Sequence, residues 1–407
     1  MKILILAINF APELTGIGKY VGEMTEWLAG QGWDVKVVTG PPYYPAWRVA
    51  AGYSTWRYRR ERLPSSLVVR CPLYVPSEPS AVRRALHLVT FALTSFPVTV
   101  WQAVTWRPDV LFVVEPPLVC APTALIAARL GGAKAWLHVQ DFELDAAFEI
   151  GTLRSTALRR AAAVLEKWLM RRFQRVSTIS ARMLEKVVLK GVPHARSRLF
   201  PNWVDCVTVR PIDSTSAMRR ELGIPDDVRV VLYSGSFGQK QGLELLLDVA
   251  RAMLQTSSVL FLLCGEGPAR ARLQEMARGL PNVRFMPLQP LGRLNELLNL
   301  ATVHVLPQRA DAEDLVMPSK LAAMMASGRP VIATARPGSD LARAVVQGGR
   351  VVFPGDVAAF ARAVLELTGN ADVSQRLGQD GREFALHSWE KSRVLGHAFS
   401  PDSIAAL

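Results

Sequence analysis

Cysteine is scarce in this 407-residue chain: Cys71, Cys120, Cys206 and Cys264 are its four, set far apart and never in a CxxC pair. A disulfide framework and a cysteine-based zinc site are therefore not expected. No HExxH, no GxSxG and no clustered His/Cys/Asp set is present either, which argues against zinc-protease and serine-hydrolase chemistry and predicts no metal. The N-terminus has one lysine and a six-residue apolar run, Ile3–Ile8, too short for a signal-peptide core, so it is expected to be a first strand of a cytoplasmic protein. Low-complexity stretches and short-period repeats are missing as well. With half of its residues hydrophobic, the chain can bury a large core, and intrinsic disorder is excluded.

What is present is basic charge, unevenly placed. Residues 1–205 carry 26 basic and 15 acidic side chains, a net +11 of the chain's +13. An excess held by one half implies an anionic partner for that half: a membrane surface, a nucleic acid or an acidic substrate. Two segments there stand out. Ala85–Trp106 holds 22 residues without Asp, Glu, Lys or Arg, yet His87, Thr90, Thr94, Ser95, Pro97, Thr99 and Gln102 interrupt it, so a buried or interfacial helix is expected rather than a span. Thr156–Arg175 sets Leu158, Leu165, Trp168, Leu169 and Phe173 at helical spacing among Arg159, Arg160, Lys167, Arg171, Arg172 and Arg175. That pattern suits either an anionic membrane surface, with Trp168 and Phe173 inserted, or an ordinary helix packed on its own domain.

Apolar runs alternate with helical patterns through both halves. Strands are expected at Lys2–Ala7, Asp34–Thr39, Val110–Val114, Ala135–Val139 and Arg175–Ser180, then at Arg229–Tyr233, Val259–Cys264, Val283–Met286, Val303–Leu306 and Pro330–Thr334. Near-continuous apolar runs fit parallel strands covered on both faces. The fold class predicted is α/β, with two Rossmann-like doubly wound domains facing a cleft. Residues 1–200 would form the first domain and 201–385 the second, with 386–407 packing back on the first domain.

The glycine-rich loops mark the candidate chemistry. Asn9–Lys19, with Gly16 and Gly18, follows the first strand and opens a helix, but fits neither a Walker loop nor a dinucleotide fingerprint. In the second half Ser234–Gly242 joins Gly235 and Ser236 to Lys240, Cys264–Pro268 supplies Gly265 and Glu266, and Pro318-Ser319-Lys320 opens a helix. Three such loops at successive strand ends point to a nucleotide-diphosphate site. His138 and Asp141 end a strand in the first half, where they could handle a proton or orient a hydroxyl.

The Gly16–Gly18 loop, His138–Asp141, Thr178–Ser180, Pro201–Asp205, Gly235–Gly242, Gly265–Pro268 and Ala326–Ile332 resemble, in this order and spacing, the family 4 retaining glycosyltransferases of the GT-B fold. Val139–Phe148 and Asp314–Lys320 carry a finer likeness to the bacterial exopolysaccharide branch, of the colanic-acid fucosyltransferase type. The resemblance implies transfer of a hexose from a nucleotide diphosphate sugar, fucose from GDP-fucose among the candidates, with no cofactor or metal. The acceptor would be a polyprenyl-diphosphate-linked saccharide at the inner face of an anionic membrane. Lys240 and Lys320 would steady the leaving diphosphate, with Ser319 beside them, and His138 or Asp141 would position a sugar. One departure matters: the family's paired glutamates on the last of these helices fall here at Leu315 and Ala323, leaving Glu313 and Asp314 as displaced candidates for holding the sugar. Two rivals remain. A nucleotide-sugar epimerase shares the architecture, and a nucleic-acid-binding module would share the charge, though no recognition motif for it is present.

Overall fold

The structure is a computed structural model, and it describes residues 1–78, 80–143, 156–212, 216–238, 241–256, 258–309 and 318–407. The chain divides into two compact units, Met1–Pro201 with Leu395–Leu407, and Asn202–Val394.

Unit 1 is built on one eight-stranded sheet. Its strands are β1 Lys2–Leu6, β2 Asp34–Thr39, β3 Arg59–Leu63, β4 Ser66–Arg70, β5 Val110–Glu115, β6 Lys134–Val139, β7 Arg175–Thr178 and β8 Ser197–Leu199. They run in the order β3-β4-β2-β1-β5-β6-β7-β8, every pairing parallel except β3 with β4. Ile3, Leu4, Ile5 and Leu6 of β1 are all fully buried, as a central parallel strand covered on both faces requires. The helix Gly16–Gly30 buries Tyr20, Val21, Met24 and Leu28, the face its 3.6-residue period marks. The chain leaves β1 toward β2 on one side and later places β5 on the other. The topological switch point of this sheet therefore lies between β1 and β5.

The stretch Ala85–Trp106 lies within the 26-residue helix Ala81–Trp106. Thr156–Met170 is also helical, but its role needs correcting at two residues. Phe173 is fully buried in the core of unit 1, and Arg175 is buried over the Trp136 ring, with its guanidinium donating to the Ser403 hydroxyl at 2.9 Å. Neither can meet a membrane. Trp168 stays exposed, with Arg172 stacked 3.9 Å from its centroid. The C-terminal residues enter the core through Phe399, which packs against Trp33, Phe112, Trp136 and Phe200. The return to unit 1 falls at Leu395 rather than at 386, because the helix Ala371–Ser388 still belongs to unit 2.

Unit 2 holds a six-stranded, wholly parallel sheet. Its strands are β9 Arg229–Ser234, β10 Val259–Cys264, β11 Val283–Met286, β12 Val303–Leu306, β13 Val331–Thr334 and β14 Gly349–Val352. The order β11-β10-β9-β12-β13-β14 puts its switch point between β9 and β12. Arg382, on the helix Ala371–Ser388, donates to the carbonyls of Val209 and Ala326, and so ties the start of the unit to the helix Lys320–Ala326.

Candidate functional site

Lys320 reaches the switch point of unit 2. Its Nζ donates to the Tyr233 hydroxyl at 2.8 Å and lies 4.3 Å from the centroid of that ring. Tyr233 is the next-to-last residue of β9, and its own hydroxyl donates to the Ser236 carbonyl at 2.6 Å. The ammonium sits 2.6 Å from where a Cβ on Gly235 would stand, and the backbone there, at φ +148°, favours glycine. Burial pushes the Lys320 pKa down to about 7. Desolvation is the cause: the amine has lost water, and among the described residues no carboxylate offsets the loss.

The two glycine loops at this edge are zipped together by backbone. Gly235 N donates to Cys264 O (2.9 Å), Phe237 N to Glu266 O (2.8 Å) and Ala269 N to Phe237 O (3.0 Å). Gly265 lies so close beneath that an added Cβ would be 1.9 Å from the Gly235 carbonyl. Ser236 is exposed at the rim, as is Ser319 beside Lys320. Glu266 turns toward Arg270, which also donates to the Gly265 carbonyl at 2.7 Å. The structure thus gathers Gly235, Ser236, Gly265, Lys320 and Ser319 at one edge of one sheet. Lys240, Glu313 and Asp314 lie outside the described residues. Two residues that the sequence reading passed over belong here as well. Tyr233 read only as a strand residue, and Arg309 follows β12 with its Cγ 3.0 Å from the Cβ position of Gly242.

The corresponding edge of unit 1 is organised by carboxyl groups. Gly16, at φ +61°, and Gly18 open the helix Gly16–Gly30, just after the loop that follows β1. The Glu13 carboxylate holds that loop, accepting from Asn9 Nδ2 and from the backbone N–H groups of Tyr43 and Tyr44, each at 2.9 Å. A Cβ on Gly18 would meet Glu13 at 2.6 Å. Across the switch point Glu115 ends β5, fully buried, with neither carboxylate oxygen hydrogen-bonded. Burial first, then the nearby Glu166 and Glu143, raise its pKa well above the ordinary value. Glu143 accepts from Leu118 N at 3.0 Å and is raised by burial too.

His138 is buried in β6. Its Nδ1 is 2.9 Å from Ser177 Oγ and its Nε2 2.9 Å from Gln140 Nε2. The amide donates to Nε2, which leaves the proton on Nδ1. Desolvation pushes the ring's pKa down to about 3, so it is neutral at any ordinary pH. Placed so, His138 orients Gln140; proton transfer would first require both hydrogen bonds to break. Asp141, half-buried at the strand end, is the more accessible of the two. Among the described residues no group of three or more His, Cys, Asp or Glu could hold a metal ion.

The Glycosyl transferase 4-like domain family matches residues 15–203, and the Glycosyl transferases group 1 family matches residues 228–370. WcaI of Escherichia coli (strain K12), named for colanic acid biosynthesis, is 42% identical over 348 residues, 84% of this chain and 85% of its own length. The chain is a family 4 glycosyltransferase. The family is a retaining one, and its fold is GT-B. Among solved structures the enzyme resembles sucrose-phosphate synthase from Thermosynechococcus elongatus, with a TM-score of 0.73 at 20% identity over 97% of this chain and 96% of that one. It also resembles HepE from Anabaena, crystallised with UDP, with a TM-score of 0.72 at 14% identity over the whole of both chains. These likenesses concern the fold.

Proposed function

We propose that the enzyme moves a hexosyl group from a nucleotide diphosphate sugar to a lipid-linked saccharide during assembly of an exopolysaccharide of the colanic-acid type. The observation that carries the donor half is the Lys320 ammonium, desolvated over Gly235 and supported by Tyr233 at the switch point of unit 2. As the glycosidic bond breaks, negative charge grows on the departing diphosphate. A pre-placed cation in a site poor in water stabilises that charge more than it stabilises the ground state. Lys240, in the loop whose start forms this site, is the proposed second cation, and Ser236 and Ser319 supply hydroxyls at the rim. Glu313 and Asp314, in the segment preceding Lys320, are the proposed contacts to the donor sugar. None of the described side chains at either edge is set up as a nucleophile, so retention is proposed to follow from same-face attack by the acceptor hydroxyl, with Asp141 orienting a sugar.

The exopolysaccharide assignment is supported by the 42% identity to WcaI across most of both chains. A polyprenyl diphosphate carrier fits the net +11 of residues 1–205, because it is anionic and confined to a membrane. The enzyme is accordingly proposed to work at the inner membrane surface. The test is a transfer assay with GDP-, UDP- and dTDP-sugars against lipid-linked saccharide acceptors, GDP-fucose first. Turnover of one donor that depends on the lipid-linked acceptor is the expected result. Interconversion of the free nucleotide sugar without an acceptor would instead identify an epimerase.

A further inference from the structure

The helix Ala81–Trp106 is folded with its polarity reversed. Its buried side is largely polar: His87, Ser95, Thr99 and Gln102 face inward with Phe91 and Ala103. These groups are satisfied within unit 1. His87 is 2.6 Å from the Tyr74 carbonyl and 3.0 Å from the Tyr43 hydroxyl, and Gln102 Oε1 accepts from Lys36 Nζ at 3.0 Å. Thr94 Oγ1, at the edge of that side, donates to the Pro72 carbonyl at 2.7 Å. The outward side carries Val82, Leu86, Val89, Leu93, Phe96 and Trp101, all exposed, Leu93 by 69%. Their spacing of three to five residues makes one stripe along the helix. A stripe of that length exceeds what scattered surface hydrophobics account for.

Charge and aromatic placement identify what covers it. Trp56, 83% exposed, and Tyr58 precede β3, and the Tyr58 hydroxyl donates to the Thr94 carbonyl, so this segment lies alongside the helix. Arg57, Arg59, Arg60 and Arg62 of the same segment are exposed, and Arg60 stacks 5.2 Å from the Trp101 centroid. Arg83 and Arg84 are exposed in the first turn of the helix, and Arg107 follows its end. An apolar stripe edged by tryptophan and tyrosine, with arginines beside them, matches the layering of an anionic bilayer surface.

We propose that the outward face of Ala81–Trp106, with Trp56 and Tyr58, is the surface by which the enzyme lies on an anionic lipid bilayer, the helix in the membrane plane. Crossing the bilayer would strip the inward hydrogen bonds from His87, Thr94 and Gln102, whereas lying in the plane keeps them all. The assignment moves the principal lipid contact away from Thr156–Arg175. It rests on the proposed use of a lipid-linked acceptor, but concerns a different surface from the donor site.

The experiment is co-sedimentation of the full chain with phosphatidylcholine vesicles, with and without phosphatidylglycerol. The comparison is between wild type, Leu93→Gln/Phe96→Gln/Trp101→Gln and Arg171→Glu/Arg172→Glu. Circular dichroism and transfer in detergent report on folding. Loss of three apolar anchors is expected to weaken partitioning into anionic vesicles by roughly 100-fold, with detergent activity retained. The Arg171/Arg172 variant should retain most of its binding. Spin labels at Val82, Val89 and Phe96 should report one common depth of about 5–10 Å. Depths increasing by about 1.5 Å per residue would show a span and overturn the in-plane geometry. Undiminished vesicle binding by the triple variant would overturn the surface itself. So would a wild-type dimer that the triple variant converts to monomer, since the stripe would then belong to a second copy. Wild type that binds vesicles through this face but ignores every lipid-linked saccharide would leave the surface standing and remove the acceptor reading instead.

Discussion

Lys320 gives the sharpest test of the donor site, because its charge state can be followed through pH. In the free enzyme its pKa is pushed down to about 7, so the ammonium is half-formed near neutrality. A bound diphosphate would bring an anion to Lys320 and raise that pKa, so donor binding takes up a proton above pH 7. At pH 8 only about a tenth of free sites are protonated, and donor affinity should fall close to tenfold per unit beyond the pKa. Calorimetry in two buffers of different ionisation enthalpy measures the uptake directly. Lys320→Met keeps the length of the side chain without its charge. It should remove the pH dependence and lower kcat by roughly 100- to 1,000-fold, or ~2.7–4 kcal/mol of transition-state stabilisation. The same substitution has an opposite effect on the apo fold. The unfolded chain holds more protons between pH 7 and about 10.5, so wild-type stability rises with pH across that window. Lys320→Met should flatten that slope and raise Tm near neutrality. Donor affinity in the wild type that stays level from pH 6 to 9, together with near-normal turnover by Lys320→Met, would refute the reasoning.

Tyr233→Phe removes the acceptor for Lys320 and leaves the Ser236 carbonyl without its donor; about 1–3 kcal/mol of stability should be lost by urea denaturation, with weaker donor binding. Gly265→Ala sets a methyl against the Gly235 carbonyl and should cost at least about 2 kcal/mol in the same measurement, whereas Gly292→Ala, with nothing near its Cβ, should not disturb the loop packing. Burial raises the Glu115 pKa well above its ordinary 4.5, so above pH 4.5 the native state holds more of this proton than the unfolded chain and stability falls as pH rises beyond that value; Glu115→Gln should flatten this decline, read as Tm against pH. Transfer activity should survive EDTA, since lysines are proposed for the diphosphate, and restoration of a chelated enzyme by Mg²⁺ or Mn²⁺ would point to a metal-dependent donor site.

The ten strands expected from apolar runs are the inner strands of both sheets other than β4, together with β11, and each is present. Burial on both faces forces such strands to be apolar throughout, which is why they can be read without an alignment. The four that escaped notice are edge strands or their neighbours. β3 reads Arg-Arg-Glu-Arg-Leu, a charged antiparallel edge, and its partner β4 is only five residues long. β8 and β14 have three and four residues and close the two sheets at their far edges. Strands exposed along one side gain from charge, since it blocks pairing with other chains, and charge erases the signal that reveals the inner ones.

The site was legible by position more than by role. Glycine announces itself because no other residue tolerates the carbonyl found over Gly265, and few tolerate the φ of +148° at Gly235. Titratable groups do not, since their chemistry is conferred by surroundings that only the folded chain assembles. His138 carried the most suggestive identity in unit 1, yet Ser177 and Gln140 hold both of its nitrogens in a buried, neutral state. Glu115 carried none, ending an apolar strand before two prolines, yet it is the acid whose oxygens find no partner. Lys320 was legible as a candidate phosphate ligand, but not as an amine poised near pH 7, because that property comes from burial in the folded chain. Spacing along a chain reports which backbone can approach a ligand. Which side chain arrives charged depends on desolvation by residues dozens of positions away, as Tyr233 and Lys320 are from one another.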